Sequence, residues 1–236
     1  MLLPVVTLLS AAVVAVLVRR GTLPAVGAAV LVVLAAVVAE LTDSVLDGDG
    51  TTRIDPAAMN WVLPRRDDWL TSVAKVITDM GSPTAMTALT LAACAWFAWR
   101  RDWPRLIFLA VTAAGSAVIG TTVKPLVGRQ RPPVTDQLVV FTNQSFPSGH
   151  ALGSTVVVGA LTVLAALSLQ RRAARLALSL VAIIFVVAVG LSRVYLGVHW
   201  LTDVLGGWAI GLLWLGICLT GYTRLRPTIP SEPQPA

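Results

Sequence analysis

Long apolar runs are the feature that most constrains this chain. There are seven of them, and a helix needs ~20 such residues to cross ~30 Å of hydrocarbon. The composition agrees, because the chain is 56% hydrophobic and 13% charged with a mean hydropathy of +0.79, too apolar for a soluble domain. The sequence therefore predicts an all-α, polytopic transmembrane bundle of six to seven helices. The runs span residues 2–18, 23–41, 83–99, 106–123, 151–169, 176–191 and 201–221.

The runs are predicted to form one domain over residues 1–226, followed by a disordered proline-rich tail over residues 227–236. The first run, within residues 1–20, has no basic segment before it and no small-residue cleavage site after it. It is therefore interpreted as an extra, retained helix and not as a cleaved signal peptide.

Basic residues fall in alternate connections between the runs, and this pattern predicts an orientation. Cytoplasmic connections retain Lys and Arg, so ten of the 18 basic residues mark the cytoplasmic side. The chain is then a multi-pass cell-membrane protein with its N-terminus outside and its C-terminus in the cytoplasm. The ten are Arg19, Arg20, Arg100, Arg101, Arg105, Arg171, Arg172, Arg175, Arg224 and Arg226.

The outer connection after the second run is predicted to hold an interfacial helix. Apolar residues recur at helical spacing from Leu70 to Ile77, Asp67 suits the helix start and Gly81 suits its end. The acidic stretch Asp47-Gly48-Asp49-Gly50 lacks the ligand spacing of an EF-hand, so it is interpreted as a solvated loop.

The composition also argues against some partners. The net charge is +6, but the bases are scattered between apolar runs and form no patch with interleaved aromatics, which argues against nucleic acid. Cys94 and Cys218 each lie inside an apolar run, so neither a disulfide framework nor a metal cluster is predicted. The partner that the composition predicts is the bilayer, and the oligomeric state stays open.

The connection between the fourth and fifth runs carries Lys124, Arg129 and Arg131 on the predicted outer side, against the topology rule. A solvated basic loop is one interpretation. An anion site is the other, because Pro132-Pro133 stiffens the backbone and Pro147-Ser148-Gly149-His150 stands at a predicted helix start, whose free N–H groups attract negative charge.

A third polar segment, with Arg193, His199 and Asp203, lies at the mouth of the last apolar run. If the helix begins at His199, then His199 and Asp203 are four apart and share one face. Asp203 then fixes the tautomer of the imidazole and raises the basicity of its other nitrogen, which makes His199 a candidate nucleophile. The alternative is a histidine at a helix start with an aspartate that caps local backbone.

In the predicted topology these polar groups share one membrane depth, where ionisable residues are costly and suggest function. Cations, a hydroxyl and helix-start amides suit a multiply charged phosphate. A metal is the poorer interpretation, because the positive charges around the two histidines and the aspartate would repel a divalent cation. The set is Lys124, Arg131, Ser148, His150, Arg193, His199 and Asp203.

In three segments, within residues 124–203, the chain resembles the type 2 phosphatidic acid phosphatase (PAP2) superfamily. The order and spacing of the three motifs carry the resemblance, and Arg129 lies inside the first motif without being a signature position. The motifs are Lys124 with Arg131-Pro132, then Pro147-Ser148-Gly149-His150, then Ser192-Arg193 with His199 and Asp203.

The resemblance implies a metal-independent phosphatase of membrane lipid phosphates that needs no cofactor. It implies that His199 attacks phosphorus to form a phosphohistidine, with Asp203 orienting it. It also implies that His150 protonates the leaving group and then activates water. The first run is an addition to the commonest six-helix arrangement of the family. The phosphoryl oxygens would be held by Lys124, Arg131, Ser148, the Gly149 N–H and Arg193.

The predicted outer position of the site favours polyprenyl pyrophosphate as the substrate, with phosphatidic acid and phosphatidylglycerol phosphate as alternatives. A phosphotransferase that uses an acceptor other than water stays open. A non-enzymatic lipid transporter or scramblase predicts polar residues that continue through the membrane, whereas the runs beside the cluster are apolar.

Overall fold

The computed structural model describes residues 23–225, which hold eight α-helices and no strand. Short 3-10 turns lie at Gly50–Arg53, Leu63–Arg65 and Val134–Asp136. The first apolar run and the proline-rich tail lie outside the described residues. The helices are α1 Leu23–Asp47, α2 Ile54–Val62, α3 Asp68–Met80, α4 Pro83–Trp99, α5 Trp103–Val127, α6 Gly149–Ser168, α7 Arg172–Tyr195 and α8 Leu201–Leu225.

Each apolar run in the described part of the chain is a helix, so the predicted all-α bundle is confirmed there. Five helices, α1 and α5 to α8, are long and apolar enough to cross a membrane. Helix α4 has 17 residues, about 25 Å at 1.5 Å per residue, slightly less than the ~30 Å hydrocarbon core. The largest difference in bounds is at α1, which continues to Asp47 instead of ending at residue 41.

Local sequence sets several helix ends. Ser82 caps α4 by accepting a hydrogen bond from the Ala85 N–H at 3.2 Å. Asp102 caps α5 through the Arg105 N–H at 3.3 Å. Gly128 ends α5 in the left-handed region at φ 66°, where a residue with a Cβ would be strained. These caps fix where the chain turns at each end of the bundle.

The helix predicted in the outer connection is confirmed as α3. Asp67 accepts a hydrogen bond from the Leu70 N–H at 2.6 Å at its start, and Gly81 ends it. Gly81 also lets α3 approach α7, because a Cβ there would lie 2.4 Å from Val189. Helix α3 is therefore packed on the last turns of α7.

Helices α6 and α8 pack closely at the centre of the bundle. A Cβ on Gly207 would lie 2.8 Å from the Ser148 carbonyl oxygen, and one on Gly211 would lie 3.0 Å from Thr155. The small residues of α8 therefore permit this approach. The contact joins the starts of both helices, where the Ser148 N–H donates to the Asp203 carbonyl at 3.0 Å.

Candidate active site

The three predicted motifs meet at one end of the bundle, which we call the site rim. Helices α5 and α7 end there, and α6 and α8 begin there. The connection over residues 128–148 folds across this rim. It is held by hydrogen bonds from the Ser145 N–H to the Arg129 carbonyl at 2.8 Å and from the Leu138 N–H to the Leu196 carbonyl at 2.9 Å.

His199 contacts Asp203, although it does not lie on the helix as predicted. Helix α8 begins at Leu201, so His199 lies in the turn before it. Its Nδ1 is 3.3 Å from Asp203 Oδ2. The same oxygen accepts from the Trp200 N–H at 2.9 Å, which caps the start of α8. Asp203 therefore both contacts the imidazole and caps the helix.

The contact with Asp203 engages Nδ1 of His199 and leaves the lone pair on Nε2. A carboxylate at Nδ1 favours the tautomer with the proton on Nδ1 and the lone pair on Nε2. Nε2 faces Arg131, whose Nη1 is 3.3 Å away. Burial lowers the pKa of His199 to about 3, although the hydrogen bond to Asp203 raises it. The imidazole is therefore neutral at physiological pH.

Arg131 is fixed beside His199 by the connection that carries it. Its Nε and Nη2 donate to the carbonyl and side-chain oxygens of Asn143 at 2.7 and 2.6 Å, and its Nη1 donates to the Val198 carbonyl. Burial lowers the pKa of Arg131, and Asp203 partly offsets this. The Phe141 ring packs against the guanidinium groups of both Arg131 and Arg193, 5.0 and 4.9 Å from its centroid.

Arg193 and Ser148 keep polar atoms open. Arg193 is 2% exposed, and its Nη1 donates to Thr78 Oγ1 on α3 at 2.8 Å. Among residues 23–225, Arg193 Nε and Ser148 Oγ are buried without a hydrogen-bond partner. Ser148 stands at the start of α6 but does not cap it with its side chain. Because buried polar atoms are normally paired, these two groups have the chemistry to receive an anion.

Lys124 adds a cation to the site rim, and Gly149 adds a backbone N–H at a helix start. Lys124 Nζ donates to the carbonyl oxygens of Gln144 and Ser145 at 2.7 and 3.4 Å. Gly149 is the first residue of α6, where backbone N–H groups lack helical partners. Both residues line the same cavity.

His150 lies in the first turn of α6 and is half-buried. Its side chain interacts electrostatically with Lys124, Arg131, Arg193 and His199. The two imidazoles therefore lie near each other and near the same three cations. All eight predicted site residues lie at this rim, and their chemical roles are taken up under Proposed function.

Sequence reasoning missed Asp55 and Ser145 as groups that hold Asp203, and it placed Arg129 inside the first motif only as a non-signature position. Arg129 donates to Asp203 Oδ1 at 2.6 Å and to Asp55 Oδ2 at 2.6 Å, with 13% of its side chain exposed. Ser145 Oγ donates to Asp203 Oδ2 and lies 3.3 Å from His199 Nδ1. Asp55 looks like any other acid of the outer connection. Ser145 gives only one hint, that it lies two residues before Pro147.

An apolar groove of about 640 Å³ opens beside the site rim between α4, α5 and α6. Lys124 and Gly149 line its rim end, and Leu106 lines the far end. Along α5 these ends are about 27 Å apart at 1.5 Å per residue. In the described part of the chain, no cluster of three or more His, Cys, Asp or Glu side chains could hold a metal ion.

A helical membrane bundle whose rim gathers two histidines, a carboxylate and several cations has the architecture of a membrane phosphatase. The chain belongs to the PAP2 superfamily, because residues 105–227 match the model of that family. It is accordingly a hydrolase of phosphoric ester or diphosphate bonds. The family resemblance inferred from the three motifs is confirmed.

Two curated proteins are similar in sequence. Phosphatidylglycerophosphatase B of Bacillus subtilis (strain 168) is 33% identical over 154 residues, 63% of this chain and 73% of that protein. An undecaprenyl-diphosphatase of Sulfolobus acidocaldarius is 44% identical over 70 residues, 30% of each chain.

Two solved structures share the fold. The PAP2-type phosphatidylglycerolphosphate phosphatase of Bacillus subtilis superposes with a TM-score of 0.77 at 28% identity, covering 84% of this chain and 98% of its own. Aquifex aeolicus LpxE superposes with a TM-score of 0.55 at 19% identity, covering 72% and 95%. The second likeness concerns the fold alone.

Proposed function

We propose that this protein is a metal-independent lipid phosphatase that works through a phosphohistidine at His199. The observation that carries the proposal is the arrangement of His199, with Nδ1 3.3 Å from Asp203 and Nε2 3.3 Å from Arg131. A neutral imidazole with one nitrogen held by a carboxylate is an activated nucleophile at the other. A guanidinium beside that nitrogen binds the phosphoryl group under attack.

In the first step, the Nε2 lone pair of His199 forms a bond to phosphorus. The bond from phosphorus to the leaving oxygen breaks, and that oxygen takes a proton from His150, which must be protonated in the substrate complex. Asp203 stabilises the positive charge that develops on the His199 ring.

In the second step, water attacks the phosphohistidine. Neutral His150 takes a proton from this water, and the phosphorus–nitrogen bond breaks with its electron pair returning to Nε2. Phosphate leaves, and His150 is protonated as at the start. One histidine thus serves as acid and then as base, so the cycle closes without a net change in the protein.

The phosphoryl oxygens are assigned to Arg131, Arg193, Lys124, the Ser148 hydroxyl and the Gly149 N–H. The open Arg193 Nε and Ser148 Oγ support this assignment. Preorganised donors of this kind stabilise the charge on the equatorial oxygens in the transition state, because they need no reorientation during the reaction.

The apolar groove supports a lipid substrate. It extends from Lys124 and Gly149 between three helices, so a phosphate at the site rim continues into a space suited to an acyl or polyprenyl chain. Its lining is mostly apolar, which does not favour the polar headgroup route of a lipid transporter. We propose polyprenyl pyrophosphate as the first substrate, with phosphatidylglycerol phosphate and phosphatidic acid as alternatives.

The distribution of arginines supports an extracytoplasmic site. The connections between α4 and α5 and between α6 and α7 lie at the end of the bundle opposite the site rim. They hold Arg100, Arg101, Arg171 and other bases, as cytoplasmic connections do. Labelling of single cysteines introduced at each end, in intact cells, would test this orientation.

The purified protein, assayed with EDTA present, should release phosphate from at least one of the three lipid phosphates. Their relative kcat/KM values rank the substrates. Arg172→Ala, at the opposite end of the bundle, is the matched control for losses at the site rim. Abolition of activity by EDTA would contradict the metal-independent mechanism. Full activity in His199→Ala would contradict the phosphohistidine at His199.

A further inference from the structure

We infer that Asp55 is a positioning residue for the phosphatase reaction, acting through Arg129 on Asp203. Asp55 lies on α2, outside the three motifs and outside residues 105–227 that match the family. It is nevertheless 2% exposed. The inference rests on the proposed function, because it requires His199 to be the nucleophile.

Both oxygens of Asp55 are engaged. Oδ1 accepts from the Thr202 N–H at 2.9 Å. Oδ2 accepts from Thr202 Oγ1 at 2.6 Å and from Arg129 Nη2 at 2.6 Å. Three donors therefore fix the carboxylate, and one of them is the backbone of the residue next to Asp203. A buried carboxylate without such partners would destabilise the fold, so these three donors are what allow Asp55 to stay charged there.

Arg129 joins Asp55 to Asp203. Its Nη1 donates to Asp203 Oδ1 at 2.6 Å and to Thr202 Oγ1 at 2.7 Å. The oxygens of Asp203 are thereby divided, with Oδ1 on Arg129 and Oδ2 on His199, Ser145 and Trp200. A rotation of this carboxylate would break contacts on both oxygens, so Arg129 keeps Oδ2 facing the imidazole.

Asp55 also sets the charge beside His199. The group of Asp55, Arg129 and Asp203 carries one net negative charge, whereas Arg129 and Asp203 alone would carry none. A buried carboxylate whose charge is fully neutralised by a cation stabilises a positive imidazole less than a group that keeps one net negative charge. Asp55 therefore preserves the negative charge that His199 needs while it bonds to phosphorus.

The position of α2 does not depend on Asp55 alone. Met59, one turn further along α2, is buried against Ala151, Val194 and Val204 from three other helices. This apolar contact holds α2 at the site rim, so the charge of Asp55 can be removed without removing the helix.

The test is Asp55→Asn in the full-length protein, assayed on the lipid phosphate that the wild type hydrolyses. Asparagine keeps the size and the oxygen that accepts from Thr202. We expect kcat to fall by ~10- to 100-fold, as for losses of groups that orient a ligand or nucleophile. KM should change by less than ~3-fold, because the phosphate-binding side chains are untouched. Asp43→Asn, an exposed acid of α1, is the matched control and should leave kcat unchanged.

The double variant Asp55→Asn/Arg129→Gln tests the charge argument. It restores one net negative charge, so its loss in kcat should be at least ~10-fold smaller than the product of the two single losses. It removes both members of the Asp55–Arg129 ion pair, and Asp203 keeps its hydrogen bonds from Ser145 and Trp200, which keeps the test open if Asp55→Asn fails to fold. In that case a ~10-fold lower kcat with little change in KM supports the inference, and wild-type kcat overturns it.

The outcomes separate the two proposals. An inactive wild type would remove the proposed function. An active wild type with an unchanged kcat in Asp55→Asn, or with single losses that multiply in the double variant, would overturn only the role of Asp55. A loss confined to KM would also overturn it, because it would place Asp55 in substrate binding.

Discussion

His199 has two sides that are built differently. On the Nδ1 side, Asp203 is surrounded by Ser145, Trp200 and Arg129, and each of its oxygens accepts hydrogen bonds. The Nε2 side faces Arg131, and at the same site rim Arg193 Nε and Ser148 Oγ are buried without partners among residues 23–225. We call these the holding side and the phosphate side.

The difference separates two tasks. Groups that must not move share hydrogen bonds with several neighbours, and such networks are rigid when every member is paired. Groups that receive a ligand keep donors open for it. Changes on the holding side should therefore lower kcat, whereas changes on the phosphate side should raise KM and lower kcat/KM.

The largest effect is expected where the two sides meet. His199→Ala and His150→Ala should each lower kcat by several orders of magnitude, because a nucleophile or a general acid contributes at least ~10²-fold. With a substrate labelled on the transferred phosphate, His150→Ala should retain label on the protein, since its second step lacks a base. His199→Ala should retain none, and label retained there would place the nucleophile elsewhere.

Arg193→Gln should lower kcat/KM by ~10- to 100-fold, mainly through KM, because a hydrogen bond to a charged group contributes ~1.5–3 kcal/mol. Steady-state kinetics on the preferred lipid phosphate measure this. Arg172→Gln at the opposite end of the bundle is the control and should behave as the wild type. A pure kcat effect in Arg193→Gln would place this arginine on the holding side.

Two serines give the sharpest matched comparison. Ser145→Ala and Ser148→Ala remove the same hydroxyl from the holding and the phosphate side, and each should cost up to ~10-fold, the equivalent of one hydrogen bond of ~0.5–1.5 kcal/mol. The loss should appear in kcat for Ser145→Ala and in KM for Ser148→Ala. If both variants divide their losses equally between kcat and KM, the distinction between the two sides is wrong.

The last prediction concerns stability and pH and not the rate of turnover. The pKa of His199 is about 3 in the folded protein because of burial, whereas an unfolded histidine has a pKa of ~6.5. Below pH 6.5 the unfolded state binds the extra proton, so the free energy of unfolding falls by up to ~1.4 kcal/mol per pH unit as the pH drops toward 3. Unfolding in detergent should show a weaker pH dependence in His199→Gln, and an equal slope would contradict the burial argument.

The sequence predicted the features that depend on neighbouring residues. Apolar runs define the helices of the described chain, and Asp67 and Gly81 bound α3 as expected. The motif residues were found because helix ends bring Ser148, His150 and His199 to one rim. The start of α8 was predicted two residues too early, since Asp203 caps the backbone at Trp200.

The sequence could not predict contacts made across long separations. Asp55 meets Thr202 across 147 positions, and Thr78 meets Arg193 across 115. Neither Asp55 nor Thr78 lies in a recognisable pattern, because their roles depend on how α2 and α3 pack on the other helices. The contacts of Ser145 and Arg129 with Asp203, across 58 and 74 positions, are of the same kind, whereas Trp200 lies three residues from Asp203.

Phe141 allows Arg131 and Arg193 to lie close together, each guanidinium about 5 Å from its ring. Without an anion these two like charges repel each other across the aromatic ring. A bound phosphate dianion offsets that repulsion, so product and substrate alike should raise the melting temperature of the protein, by an amount that grows with the logarithm of ligand concentration above Kd. We expect the same attraction to slow the departure of inorganic phosphate, so turnover should fall as the phosphate concentration at the site rim rises.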